Sequence, residues 1–502
     1  MAQKPANLLD HLPSELTQLS QDLAHLIKQA GGRLLLVGGC VRDIHLGSTP
    51  KEIDCEIQNI RIDQLKSILS AKYTCHEVGK AFGVLKLKGL SAELSLPRTE
   101  IKTGSGHKGF SVEVDPTLPF EKSAQRRDFT INAIGLDPLT GKLLDPTGGI
   151  PDIQNQKLRH IGPAFKEDPL RVLRAMQFVA RFNLKPHSET IRVCQSMSME
   201  DLPPERLFEE WKKLLLQGND MTAGLTFLKD SYWIRYFPEI EALIGCEQDP
   251  EWHPEGDVWV HTLHCLDAFA KERIEEDWED LVVGFAVLCH DLGKPLTTKI
   301  GEDGRIRSPL HEPKGEAPTR SFLSRLTNQV DLHEQVVPLV RRHLTPRTFY
   351  KDQASDGAIR RLARKVKRID RLVRVAAADI AGRPPRQDDF PEGPWLLKRA
   401  EELQVKDAEP KPIIQGRHLI DHGLKPGPSF TPILEQCFEA QLDGQFCELQ
   451  TGIDYLKKYL HENNFQIEYQ HKLKDNYHYI NENMFFSTSK SLKSKFRVFC
   501  II

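Results

Sequence analysis

The stretch Leu34-Leu-Leu-Val-Gly-Gly-Cys-Val-Arg-Asp-Ile44, followed by Lys51-Glu-Ile-Asp-Cys-Glu-Ile57, decides how the chain is read. Residues 34–37 are a short apolar run that predicts a buried strand, and Gly38-Gly39 stops it. Glycines there let the backbone approach something bulky. The N–H groups of the following helical segment point at anions, and Arg42 adds a fixed cation for phosphate oxygens. Asp54 and Glu56 lie two apart in a second alternating apolar run, so on a strand they project from one face. Adjacent carboxylates facing a phosphate cradle are what Mg²⁺ ions need for in-line attack on phosphorus. The same residues also suit a tight strand-to-helix turn with a solvated acidic pair.

Composition sets broad limits. The 502 residues, 39% apolar and 27% charged, suit a soluble protein of two to four domains. No run of 18 apolar residues occurs, which excludes a membrane-spanning helix, and the first residues lack the apolar core of a signal peptide. Ten scattered cysteines without a C-x-x-C pair predict a reducing, cytoplasmic setting. Sixty-eight basic against seventy acidic side chains leave no overall attraction for nucleic acid, but Arg360, Arg361, Arg364, Lys365, Lys367, Arg368, Arg371 and Arg374 are spaced for one helix face. That face is read either as a local nucleic-acid patch or as a solvated surface.

Along the chain, residues 8–30 predict an amphipathic helix. Strands are expected at 34–37, 53–58, 83–88 and 92–96, with a mobile loop around Gly104 and Gly106. Beyond about 160 the pattern is helical throughout, and the stretch from Lys472 is an atypical tail.

Two further motifs carry arginine and carboxylate together. In Gln125-Arg-Arg-Asp-Phe-Thr-Ile-Asn-Ala133, arginine forks suit triphosphate oxygens, while Asp128 and Asn132 suit ribose hydroxyls; a salt-bridged helix start would look the same. In Lys166-Glu-Asp-Pro-Leu-Arg-Val-Leu-Arg174, Asp168 and Pro169 suit a helix start, and Asp168, Arg171 and Arg174 fall on one side of that helix. A carboxylate accepts from the exocyclic amino group shared by cytosine and adenine, and arginine donates to their ring nitrogen. Guanine and uracil present a carbonyl there instead. The plain alternative is a helix cap with a surface ion pair, worth under ~1 kcal/mol.

These motifs, in this order, resemble those of the bacterial-type (class II) tRNA nucleotidyltransferases, the CCA-adding enzymes, and their poly(A) polymerase relatives. The matching features are GG-x-VRD at 38–43, the pair Asp54 and Glu56, RRDFT-x-NA at 126–133 and EDPLRVLRA at 167–175. Pro204-Glu-Arg-Leu-Phe-Glu-Glu-Trp211, residues 414–427 and residues 439–444 also resemble familial segments, so the likeness spans roughly 31–460. It implies an α+β chain: an N-terminal helical extension (1–30), a mixed α/β nucleotidyltransferase head of the DNA polymerase beta superfamily type (31–160) and an all-helical remainder. The remainder divides into a base-selecting neck (161–250), an HD domain (251–390), a tRNA-binding tail (391–470) and the atypical end (471–502). It further implies that Gly39, Arg42 and Arg127 hold the triphosphate, with Asp128 and Asn132 beside it. Asp54 and Glu56 carry Mg²⁺, and Asp168 and Arg171, supported by Arg174, select the base. The family more often has Asp-x-Asp, so Glu56 is a departure whose extra methylene a different rotamer would absorb. Glu93 is a possible third carboxylate, or a solvated strand residue.

A fourth constellation follows. His261, the adjacent pair His290-Asp291 expected at a helix centre, His311, His343 and Asp379 resemble the HD phosphohydrolase superfamily. That likeness implies a metal at His261, His290, Asp291 and Asp379, and imidazole with carboxylate suits Ni²⁺, Co²⁺ or Mn²⁺. The expected activity is addition of C, C and A to the 3′ end of tRNA from CTP and ATP, with a second phosphodiesterase or phosphatase activity. Poly(A) synthesis, partial CC or A addition, and a metal phosphohydrolase with an RNA-binding head are the alternatives. Monomer and homodimer both remain open.

Overall fold

A computed structural model of the chain describes residues 8–78, 83–102, 110–385, 389–463 and 465; the expected loop at Gly104 and Gly106 and the tail at 471–502 lie outside the described residues. The strands of the head are β1 Arg33–Val37, β2 Ile53–Gln58, β3 Cys75–Val78, β4 Val84–Leu87, β5 Ala92–Ser95, β6 Arg98–Lys102, β7 Phe110–Val114, β8 Gly135–Leu136 and β9 Leu143–Leu144. Seven of them form one mixed sheet in the order β3-β4-β5-β2-β1-β8-β9, and β6 pairs with β7 alone. The four expected strands are present. The others escaped notice because β8 and β9 are two residues long and β3 carries His and Glu in its middle.

Register decides what each face of the sheet carries. Val37 is opposite Asp54 and Leu35 opposite Glu56 across the antiparallel β1–β2 pair, while Asp54 is opposite Glu93 across the parallel β2–β5 pair. Directly opposed residues share a face, so the three carboxylates project from the same side. On the other side Leu34, Leu36, Ile53, Cys55 and Ile57 join the main core with Leu23 and Ile27. The latter two belong to the helix Ser14–Gln29. That helix is shorter than predicted: Pro13 caps it, after a separate 3₁₀ turn over Leu8–His11, because a proline-preceding residue avoids the helical region.

After the head the fold is helical, apart from two-residue ribbons at Lys157–Leu158 with Lys185–Pro186 and at Lys299–Ile300 with Ile306–Arg307. The neck helices Leu170–Phe182, Pro204–Gln217 and Met221–Asp230 pack together. Trp211 meets Phe237 and Phe322 edge-on at 5.1 and 5.2 Å and fastens the neck to the body. In the body, Asp277–Cys289 is buried on every side from Leu281 to Cys289, so it is the interior helix, packed by Val258–Lys271, Val330–Arg342 and Ile369–Ala381. Leu396 and Ala400 still belong to the main core, and a separate small core of Ile414, Leu419, Ile433, Cys437 and Leu456 follows.

The basic cluster is not one helix face. Lys367, at φ 62°, breaks it between the helices Asp356–Val366 and Ile369–Ala381. Most of its charges are committed within the protein: Arg361 to Glu439 and Asp443, Arg364 to Glu439, Arg371 to Glu279, and Arg374 to Asp280. These ion pairs brace neighbouring elements, Arg371 from a buried position and Arg364 from an exposed one, so the single-face expectation is corrected.

Head and neck are joined by a buried polar chain. The Arg42 guanidinium donates to Asp43 Oδ1 and, at 2.8 Å, to Asn132 Oδ1. Asn132 Nδ2 donates to Asp128 Oδ1 at 2.9 Å, and Arg174 Nε donates to Asp128 Oδ2 at 2.8 Å. Both guanidinium groups lie 5.2 Å from the centre of the Phe178 ring. Burial pushes the Asp128 carboxyl up, but Arg174, the Asn132 amide and Arg171 outweigh it and hold it at about 2, below its ordinary 3.8. A depressed carboxyl contributes stability that is fully present above its unfolded value and fades as pH falls through 3.8 toward about 2. The shift corresponds to about 2 kcal/mol. We therefore expect Asp128→Asn to lower stability by roughly that amount at neutral pH and the deficit to shrink to about half near pH 3. Denaturant unfolding at both pH values checks this, and a deficit that does not shrink contradicts it.

Candidate functional site

A cleft of about 430 Å³ opens between the carboxylate face of the sheet and the start of the helix Leu170–Phe182. Its walls bring together Asp54, Glu56, Glu93, Arg127, Asp128, Asp168, Arg171 and Arg174. Gly39, Arg42 and Asn132 do not line it; Arg42 and Asn132 stand behind it in the buried chain, and Gly39 turns its backbone N–H to the Asp54 carboxylate. Gly38 must be glycine: its φ is 72°, and a Cβ there would lie 3.1 Å from Asp54 Oδ2.

Asp54 and Glu56 occupy different surroundings. Burial pushes the Asp54 carboxyl up, and the charges of Glu52 and Glu93 push it further, against Arg127 and the Gly39 N–H. A cation in the cleft would relieve that repulsion. Glu56 is buried, with Ser123 Oγ at 2.8 and 3.0 Å from its two oxygens and Gln58 Nε2 at 3.3 Å. These partners fix the rotamer of the longer side chain. Arg127 Nη2 stands 3.5 Å from Glu56 Oε2.

Asp168 and Arg171, expected to act as a pair, are each tied to other partners. Asp168 Oδ1 accepts from the Leu170 N–H at 3.1 Å, as a helix start requires, and Oδ2 accepts from Arg206 at 3.0 Å. Arg171 donates to the carbonyls of Ala164 and Arg126, both at 2.8 Å, and Arg174 is committed to Asp128. The two side chains still face one cleft, each braced by its own partners. Ser123 and Arg206 were missed by sequence reasoning. Arg206 had a signal, lying inside the segment Pro204–Trp211, whereas Ser123 had none.

The second constellation also assembles. His261, His290, Asp379 and the unforeseen Cys265 present ligand atoms within 4.8 Å of one another, as do Asp291, His311 and His343. The His290-Asp291 pair stands not at a helix centre but at the C-terminal end of Asp277–Cys289, where His290 is the cap. His261 Nε2 is 3.1 Å from Asp379 Oδ1 and 3.4 Å from His290 Nε2. Burial opposes charge on His290, but Asp291 overrides it and raises the imidazole to about 10, whereas burial takes His343 down to about 3. The carboxylates of Asp291 and Asp379 thus need cationic balance, from protons on the imidazoles or from a metal. A cavity of about 250 Å³ lies against the cluster, with Lys294, Arg347 and Arg383 on its walls. Imidazoles and carboxylates in this donor set fit a divalent transition metal. Among the described residues no helix is long and apolar enough to cross a membrane.

Comparison with known proteins agrees with the geometry. The poly A polymerase head domain family matches residues 34–159. The multifunctional CCA protein of Stenotrophomonas maltophilia is 36% identical over 396 residues, 75% of this chain and 94% of the relative. That of Xanthomonas campestris pv. campestris is 36% identical over 381 residues, 73% of this chain and 89% of the relative. Among solved structures, the Bacillus stearothermophilus CCA-adding enzyme in complex with CTP superposes with a TM-score of 0.63 at 21% identity, covering 90% of this chain and 99% of that one. The chain belongs to the multifunctional CCA protein family, the bacterial CCA-adding nucleotidyltransferases.

Proposed function

We propose that the chain adds C, C and A in turn to the 3′ end of tRNA from CTP and ATP, releasing pyrophosphate. The observation that carries this reading is that Asp54 and Glu56 on the sheet share one cleft with Asp168 and Arg171 on the neck. Asp54 and Glu56 would hold Mg²⁺, which when bound supplies charge neutralisation at the phosphates and favours the ionised 3′-hydroxyl. Arg127 offers a guanidinium to the triphosphate, and the strand face orients it for in-line displacement. Gly39, Arg42 and Asn132 act from behind, Arg42 and Asn132 by fixing Asp128 and Arg174. Asp168 accepts from the amino group of cytosine or adenine, and Arg171 donates to the ring nitrogen. The free thiols of the described cysteines fit a reducing cytoplasm.

The second cluster supports a further activity. His261, His290, Asp291 and Asp379 would hold an ion such as Ni²⁺, Co²⁺ or Mn²⁺, which supplies a nucleophilic water. Lys294, Arg347 and Arg383 on the cavity walls suit the oxygens of a phosphate ester, such as a 2′,3′-cyclic phosphate.

Three measurements check these readings. Glu56→Ala should lower nucleotide transfer by ~100-fold or more, because loss of a ligand costs several kcal/mol of charge stabilisation. A wild-type kcat would remove Glu56 from the ligand set and leave Glu93 as the candidate. Asp168→Ala should reduce the CTP-over-UTP ratio of kcat/KM by ~10- to 150-fold, the equivalent of a charge-assisted hydrogen bond of ~1.5–3 kcal/mol. An unchanged ratio would make Asp168 a helix cap only. Asp291→Ala should abolish hydrolysis of a 2′,3′-cyclic nucleotide while CMP incorporation into an undamaged tRNA stays near wild type. Loss of both in a folded protein contradicts independent sites.

A further inference from the structure

The cavity of about 250 Å³ in the body is lined unevenly. Asp291 and His343, each 1% exposed, mark its inner end, and Trp252, 41% exposed, marks its mouth. Two of the cations on its walls are committed to carboxylates of the same cavity. Lys294 Nζ lies 2.8 Å from Asp291 Oδ2, and Arg383 Nη2 lies 2.7 Å from Asp379 Oδ1. Among the described residues no carboxylate pairs with Arg347, whose guanidinium carbon lies instead 6.0 Å from the centre of the Trp252 ring. An uncommitted cation and an exposed aromatic ring thus stand together at the opening.

The segment that carries Trp252 is braced on every side. The N–H groups of Trp252 and His253 both donate to the Asp249 carbonyl, at 3.1 and 2.9 Å, so the chain turns back on itself. Glu251 pairs with Arg305, in the turn of the ribbon Lys299–Ile300 with Ile306–Arg307. On the other side His253 packs edge-on against His261, ring centres 4.9 Å apart. Gln248 accepts from Lys294 Nζ at 2.6 Å and donates to the Gly256 carbonyl at 3.2 Å, which closes the loop. A ring held in place beforehand loses little freedom when a ligand lies on it, so the contact is repaid in affinity.

Size decides what reaches the mouth. Pockets that enclose a whole organic ligand run from about 300 Å³ upward. This cavity is smaller, so a phosphate ester placed at its inner end leaves any attached base at the opening. Every base has a flat π-face that stacks on an aromatic ring or a guanidinium plane. The Arg347 fork also suits phosphate oxygens, so one residue serves both halves of a nucleotide. We propose that Trp252 and Arg347 form a base-stacking platform, which makes the cavity select nucleoside phosphate esters over esters without a base. Stacking does not read base edges, so cytosine and adenine are taken about equally. This rests on the reading of the cavity as a phosphate-ester site and adds the residues that recognise the nucleoside.

The test compares the full-length wild type with Trp252→Ala and Trp252→Phe. With Mn²⁺ added, kcat/KM is measured for cytidine and adenosine 2′,3′-cyclic phosphates and for glycerol 1,2-cyclic phosphate, which has the same reacting ring without ribose or base. Trp252→Ala should lower kcat/KM for both nucleotides by ~5- to 150-fold, the rate equivalent of one stacked base, and leave the glycerol ester unchanged. Trp252→Phe, which keeps a flat ring, should recover most of the loss, and CMP incorporation into tRNA by each variant reports that it folds. A second readout needs no metal: cytidine 2′-monophosphate should quench the tryptophan fluorescence of the chelator-treated wild type, and Trp252→Phe should abolish the quench. Among the described residues no tryptophan lines the cleft of the head, so a nucleotide bound there gives no such signal. Turnover that Trp252→Ala leaves unchanged, or lowers equally for the glycerol ester, would overturn the platform alone. If the wild type hydrolyses none of the three esters, the hydrolase reading falls and the fluorescence decides the platform. A quench lost in Trp252→Phe then upholds it as a nucleotide-binding surface, and no quench overturns both.

Discussion

The buried chain from Arg42 through Asn132 and Asp128 to Arg174 is the constraint on which the rest of the head depends. It starts one turn after the glycine pair that ends β1 and finishes on the helix that opens the neck. Asp128 and Asn132 are buried, and a buried carboxylate that loses its partners is left with an uncompensated desolvation cost. The chain therefore permits little change in the distance between the carboxylate-bearing strand β2 and the start of the helix Leu170–Phe182 across the cleft. In the proposed reaction, a nucleotide held by its phosphates at one and by its base at the other would use that fixed span in place of a template strand.

The motifs themselves were legible because their spacing is local. Two carboxylates two apart on a strand, and three polar groups three apart on a helix, can be placed from periodicity alone. What periodicity cannot give is which polar group answers which. Arg42 and Asn132 read as phosphate and ribose contacts, yet they are 90 residues apart and bond each other. Asp168 and Arg171 read as a pair, yet each is braced from elsewhere, by Arg206 in one case and by backbone carbonyls in the other. The arginine-rich run at 360–374 reads as one solvated helix face because its acidic partners, Glu279, Asp280 and Glu439, are remote in the chain and give no local signal. His311 and His343 carry no assigned role in the sequence, since only the fold brings their Nε2 atoms within 3.4 Å of each other beside Asp291.

The two candidate centres use opposite electrostatic designs. In the head, carboxylates face arginines in an open cleft, an arrangement suited to hard, exchangeable Mg²⁺ and to a charged substrate. In the body, imidazoles and carboxylates lie almost wholly buried beside a smaller cavity, a donor set that suits a transition metal. Trp211, packed against Phe237 and Phe322, ties the neck to that body, so one continuous core carries both.

If the proposed function holds, one cleft adds a defined sequence without a template. The most direct measurement is incubation of the purified protein with tRNA lacking its last three nucleotides and all four nucleoside triphosphates, followed by sequencing of the 3′ ends. The expected products end in C-C-A with no further extension and no uridine or guanosine. Homopolymeric A tails, or extension that accepts U and G as readily as C and A, would contradict it.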